Sequence, residues 1–219
     1  MGISTQIRQS SKCQMYSTLD ANYGHIIDYS VKESTLDKLQ ARHTAKNIIA
    51  RKFDAEAPNK KWFTDVTYLP YGNGQKAYLS AIIDRYDQTI VAWKISRFND
   101  NNLVKETLDL AFEKNPQARP IIHSDRGSQY TSHQHQELKN KYKFKISMSR
   151  VSKCLDNRPM ESFFGTLKSE YFYQNKFKTL EELIDGIGSY IDFYLKRRYV
   201  AKFKGLMPSE FRNEYVRTA

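Results

Sequence analysis

The sequence predicts an α/β fold, a mixed five-stranded sheet with helices packed on its faces. Three observations carry that reading. Aromatic and β-branched segments at 62–69, 76–83 and 89–95 follow one another with polar turns between them, as sequential antiparallel strands do. Beyond them, helical patterns alternate with short apolar strands, the pattern of helices laid against a sheet. The chain has 219 residues, 40% hydrophobic and 27% charged, and is long enough to bury one substantial core.

Residues 1–50 read as a polar N-terminal extension, with one short helix near Ser34, whose hydroxyl would cap a turn carrying Leu36 and Leu39. The core is expected over 51–178, and Ala57-Pro58-Asn59 marks a boundary ahead of its first strand. Trp62 to Leu69 is the first strand, Tyr71-Gly72-Asn73-Gly74 a turn, and Lys76 to Ile83 and Thr89 to Ile95 the next two strands. Asn101 or Asn102 is the expected cap of a helix with Leu103, Thr107, Leu110 and Ala111 on one face, ending before Asn115-Pro116. A strand at Pro120 to His123, a helix at Thr131 to Tyr142 and a strand at Phe144 to Met148 follow. After a polar loop, Pro159 opens a helix with Met160, Phe163, Phe164, Leu167 and Tyr171 in one stripe, which must pack on the sheet. Thr179 caps a further helix to Lys196, with Glu181 and Glu182 in its first turn, and residues 179–219 form a helical, basic C-terminal tail.

Composition narrows the function. No apolar run approaches the roughly 20 residues that span a bilayer, and Met1 to Ser10 lacks a signal-peptide pattern, so the expectation is a cytoplasmic protein without a membrane partner. Cys13 and Cys154 are too few for a zinc cluster and are expected to stay free thiols. The net charge of +11 favours a polyanionic partner, because lysines and arginines displace counterions from nucleic acid. Two stretches hold no acid at all: Leu138 to Leu155, with Lys139, Lys141, Lys143, Lys145, Arg150 and Lys153, and Phe193 to Ser209, with Lys196, Arg197, Arg198, Lys202 and Lys204. The alternative reading of those stretches is a solubilising face.

Acidic residues then locate the chemistry. Asp65 stands inside the first strand, where a carboxylate is normally excluded. Asp125 follows the fourth strand at its carboxyl end, the edge where open α/β sheets bind ligands. Glu161 lies in the first turn of the Pro159 helix, beside the apolar stripe. Three carboxylates brought together repel unless a cation neutralises them, and hard oxygen donors suit magnesium or manganese. Asp125 also reads as a turn former and Glu161 as a complement to a helix N-terminus, and the residues alone leave both alternatives open. Asp84, Asp87 and Asp156 are expected as turn or cap residues, and His123 either orients ligands or packs.

Three segments, Trp62-Phe63-Thr64-Asp65-Val66-Thr67-Tyr68, His123-Ser124-Asp125-Arg126-Gly127-Ser128-Gln129-Tyr130 and Asp156-Asn157-Arg158-Pro159-Met160-Glu161-Ser162-Phe163-Phe164-Gly165-Thr166-Leu167-Lys168, resemble bacterial insertion-sequence transposases with a retroviral-integrase-like core. Thirty-five residues separate Asp125 from Glu161, the spacing of this Asp-Asp-Glu family. The resemblance runs from about Asn47 to Arg212 and implies a ribonuclease-H-like fold. It also implies a metal-dependent polynucleotidyl transferase in which Asp65, Asp125 and Glu161 are both catalytic and metal-binding and carry two Mg2+ or Mn2+ ions. The implied reaction frees 3′ hydroxyls at the ends of an element and joins them to target DNA. Lys168, two turns after Glu161, matches a basic residue that touches the DNA end, and Arg126, Arg158 and Arg198 are further DNA-binding candidates.

Synapsis of two ends calls for a homo-oligomer on DNA, nucleoid-associated when bound. The chain departs from the family where Leu195 follows Tyr194 and where Phe203 replaces a usual leucine. Residues 1–46 show no helix-turn-helix, which suggests a helix-turn-helix partner encoded upstream. Alternatives are a truncated remnant that binds DNA or regulates an intact copy, and a free-standing ribonuclease-H-like nuclease.

Overall fold

The computed structural model describes residues 44–150 and 154–218. The helix expected near Ser34 lies outside the described residues. Five strands, β1 (Lys61–Tyr71), β2 (Gln75–Asp84), β3 (Ile90–Ser96), β4 (Ile121–Ser124) and β5 (Lys145–Met148), form one sheet in the order β3-β2-β1-β4-β5. The first three are antiparallel neighbours, whereas β4 and β5 run parallel to β1, which makes the sheet mixed as expected. The helices are α1 (Asn101–Lys114), α2 (His133–Tyr142), α3 (Arg158–Glu170), α4 (Leu180–Lys196) and α5 (Pro208–Thr218). Among the described residues no helix is long and apolar enough to cross a membrane.

Strand alternation divides the core into two layers. Trp62 joins Ile82, Val104, Leu108, Phe112 and Ile122 on the face covered by α1 and α2. Phe63 and Leu69 join Met160, Phe163, Leu167, Ile187 and Ile191 on the face covered by α3 and α4. Asp65 and Thr67 share the parity of Phe63 and Leu69, so their side chains rise on the α3 face. The apolar stripe of α3 anchors that helix; truncating the fully buried Leu167 to Ala would cost about 2–5 kcal/mol.

Helix starts differ slightly from the sequence expectation. The cap of α1 is Asp100, whose carboxylate accepts from the Leu103 N–H at 3.0 Å, not Asn101 or Asn102. Three cap-forming residues in a row leave the choice to side-chain geometry. Helix α2 begins at His133 because Ser132 accepts from the His135 N–H. Thr179 caps α4 as expected, accepting from Glu182.

The C-terminal end is bound to the β2–β3 turn. Asp84 and Asp87 serve that turn, accepting from the N–H groups of Tyr86 and Thr89, and both are fully buried. Arg212 of α5 reaches Asp87 at 3.0 Å and Asp84 at 3.5 Å. Phe203 stacks on Phe211, and Phe211 on Tyr86, so an aromatic ring at 203 is used by α5 docking.

Candidate active site

Asp65 sits where β1 leaves its partner β4, since the two strands pair only from Lys61 to Phe63. Burial, then the charge of Asp125 and to a lesser degree that of Glu161, push its carboxyl up to about 7, against a bond from the Val66 N–H at 2.8 Å. Both charges acting on it are negative. Asp125 is exposed just beyond β4, and its Oδ1 accepts from the Gly127 N–H at 2.8 Å. Glu161 is exposed in the first turn of α3. Three separate elements therefore set Asp65 in the field of two further carboxylates. Among the described residues no three acids, histidines or cysteines close on a common point tightly enough to hold an ion as they stand. The Asp65 and Asp125 oxygens are turned partly to neighbouring backbone N–H groups, while the unrelieved repulsion and the all-oxygen donor set fit a hard divalent cation.

The frame around the acids is built from polar residues. Asn157, the residue before α3, donates from Nδ2 to the Thr64 carbonyl at 3.3 Å, tying the start of α3 to β1 one residue before Asp65. Its Oδ1 is buried without a partner. Thr64 in turn meets the buried Tyr130 hydroxyl at 3.2 Å. Arg126 donates to the Ser149 carbonyl, which steadies the loop carrying Asp125.

His123 is a packing residue, not a ligand. Its Nδ1 lies 2.9 Å from Ser147 Oγ and its Nε2 3.1 Å from Ser149 Oγ. Ser147 Oγ already accepts from the N–H groups of Ile48 and Ile49, so its own proton goes to Nδ1. The ring is then neutral, with Nε2–H donating to Ser149, whose hydroxyl turns to the Ser124 carbonyl. Burial lowers the imidazole to about 4, in keeping with that neutral state.

Asp156, expected as a turn or cap residue, has a larger role. It is buried and accepts from Asn47, from Arg51 and three times from Arg150, and Arg150, then Arg51, hold its carboxyl well below the usual carboxylate range. This correction could not come from local sequence, because Asn47 and Arg51 lie more than 100 residues away.

The basic candidates divide. Lys168 Nζ donates to Thr67 Oγ1 at 2.7 Å and lies 5.2 Å from the centre of the Tyr68 ring, on the same strand as Asp65. Arg126 and Arg158 are exposed. Arg198 is held by Glu170 through Nε and Nη2 and rests over the Tyr194 ring, so its guanidinium is engaged within the fold.

Comparison with known proteins gives the same outline. Family models described as integrase core domain match residues 55–154 and 161–216. The putative transposase InsK for insertion sequence element IS150 of Escherichia coli K12 is 45% identical over 172 residues, covering 78% of this chain and 60% of that protein. The chain thus spans about three-fifths of that relative's length. A transposase-like protein of Haemophilus influenzae is 38% identical over 172 residues, covering 78% of this chain and 79% of its own length. Among solved structures, a chain of the simian T-cell lymphotropic virus intasome matches 73% of this chain with a TM-score of 0.64 at 14% identity, covering 56% of that chain. The HTLV-2 integrase catalytic core domain, solved with magnesium, matches 72% with a TM-score of 0.54 at 18% identity and is covered over 98% of its length. The sheet is therefore the ribonuclease-H-like sheet of retroviral integrase cores. With matched segments carrying Asp65, Asp125 and Glu161 and most of the Haemophilus protein covered, the chain belongs to the integrase-core family of insertion-sequence transposases.

Proposed function

We propose that the chain is the catalytic part of a transposase, a divalent-cation-dependent polynucleotidyl transferase that cleaves element ends and joins them to target DNA. The observation that carries this reading is the placement of Asp65, Asp125 and Glu161 on three elements in one field, with the Asp65 carboxyl pushed up to about 7 by burial and by its two acidic neighbours. Those three side chains would hold Mg2+ or Mn2+. Divalent ions held there would supply activation of a water or 3′ hydroxyl and charge stabilisation of the departing oxygen.

The protein's own groups then position and shield. Asn157 fixes the first turn of α3 against β1, which sets where Glu161 stands. The neutral His123 and its two serines hold β4 and β5 in register, so that Asp125 leaves the sheet edge at a fixed place. Lys168, seated on Thr67, sets a positive charge beside the carboxylate row for a DNA phosphate, and the exposed Arg126 and Arg158 would meet neighbouring phosphates. Arg198 would act on DNA only after releasing Glu170. The HTLV-2 integrase core, a structural neighbour, was solved in complex with magnesium, which supports the choice of ion. DNA ends and target DNA are the partners, bound by a homo-oligomer in the cytoplasm.

A strand-transfer assay with pre-cleaved element ends and magnesium tests the reading. The wild type should join ends to target DNA, and Asp125→Asn should lose about a thousandfold or more, the several kcal/mol that metal assistance supplies. No joining by the wild type, or equal joining by Asp125→Asn, would overturn it.

A further inference from the structure

Three residues beyond Asp65 on β1, Tyr68 leaves 56% of its surface exposed. A lone exposed aromatic is ordinary on a soluble protein. This ring, however, is met by two lysines from different elements. Lys76 Nζ of β2 lies 5.8 Å from its centre and Lys168 Nζ of α3 5.2 Å. Lys76 stands diagonally across the β1–β2 pair, because Tyr68 faces Tyr78 and Pro70 faces Lys76 in the register.

The position is as specific as the company. Tyr68 has the opposite parity to Asp65 and so leaves the other face of the strand, but from Thr64 onward β1 has left β4, and at this unpaired edge Lys168 of α3, bonded to Thr67, also reaches the exposed ring. Three residues of strand span about 10 Å, the length of about three base steps of one DNA strand. Inside a duplex the bases are stacked on both faces and offer none to a tyrosine. An unpaired base does, and base–aromatic stacking flanked by phosphate-binding lysines is the usual chemistry for holding one.

We infer that Tyr68 is a stacking platform for an unpaired base of the DNA strand entering the carboxylate row, with Lys76 and Lys168 taking the phosphates on either side of that nucleotide. The DNA's path rests on the function proposed above, but the contact itself requires only binding. Flexible lysine stems let both ammonium groups move off the ring toward phosphates when a base arrives. The contact tolerates any base, because every base has a π-face, so it favours frayed ends over particular sequences.

The test is binding by the full chain, in chelator and without divalent ions, to two labelled duplexes of about 30 base pairs that differ only in whether the last three pairs are mismatched. Wild type and Tyr68→Phe should favour the frayed duplex by roughly tenfold, the size of one base–aromatic stack. Tyr68→Ala should bind both duplexes equally, losing its affinity on the frayed one alone. Lys76→Ala should weaken both to the same extent, as a phosphate contact does. In the wild type, 5-iodouracil in the frayed segment should photo-crosslink to Tyr68, a readout that needs no variant. A Tyr68→Ala protein that keeps the preference, a wild type without one, or crosslinks that map elsewhere would overturn the inference. A protein inactive in strand transfer that still shows Tyr68-dependent preference would instead count against the transposase reading and leave this one standing.

Discussion

Two acidic centres in this protein receive opposite treatment. Asp156 is buried and comes with its own cations, since Arg51 and Arg150 lie 3.0 and 2.9 Å away and hold its carboxyl well below the usual range. Asp65 is also largely withdrawn from water, but the charges that reach it are the carboxylates of Asp125 and Glu161, and its carboxyl rises to about 7. A carboxylate that serves the fold is neutralised from within the chain. A carboxylate left in the field of two others is set for a positive charge from outside. The Asp84–Asp87 pair falls between them, buried side by side yet clamped by Arg212, with Asp84 still raised to about 6 by burial and by its neighbour.

The widest contrast should appear on removing the built-in cations. Arg212→Ala would leave two buried carboxylates without their partner and should destabilise the fold by about 3–5 kcal/mol, read from urea unfolding. A loss below about 1 kcal/mol would mean that α5 docks through its aromatic stack alone. Asp156→Ala should cost about 3 kcal/mol, because it removes charge-assisted hydrogen bonds while leaving two half-exposed arginines that water can solvate.

Asp65→Asn should move the other way. The folded carboxyl is raised from 3.8 to about 7, so the penalty is absent below about pH 4, where the group is neutral folded or unfolded. It grows as pH rises from about 4 to about 7, where the unfolded carboxyl ionises first, and levels off above that. Without divalent ions the variant should therefore be more stable than wild type by about 2–4 kcal/mol above pH 7, the shift of about three units less the cost of burying the Asn amide, with the gap closing toward pH 4. A variant less stable than wild type at pH 8 would show that Asp65 already has a cationic partner. The smallest effect belongs to the surface pairs: Lys105→Ala, which removes one partner of Asp109, should leave the urea midpoint almost unmoved, and more nearly so in high salt.

The same contrast explains what the sequence could reveal. Strands and helices were legible to within a residue or two wherever hydrophobic periodicity was long, as in α3 and α4. Asp65 was legible because an acid inside an apolar strand breaks a local rule. Roles set by distant partners were not. His123 needs Ser147 on β5 and Ser149 just beyond it to become a neutral packing residue. Asp156 needs Arg51, and Arg198 needs Glu170, a helix away. Asn157 lay inside one of the family motifs, but its bond to Thr64, 93 residues earlier, is visible only in the fold.

Manganese soaked into crystals of the wild type and of Asp125→Asn, and located by its anomalous scattering, tests the central claim most directly. The account predicts density bridging Asp65 and Asp125 in the wild type and its loss in the variant. Manganese bound elsewhere, or held equally by both proteins, would contradict it.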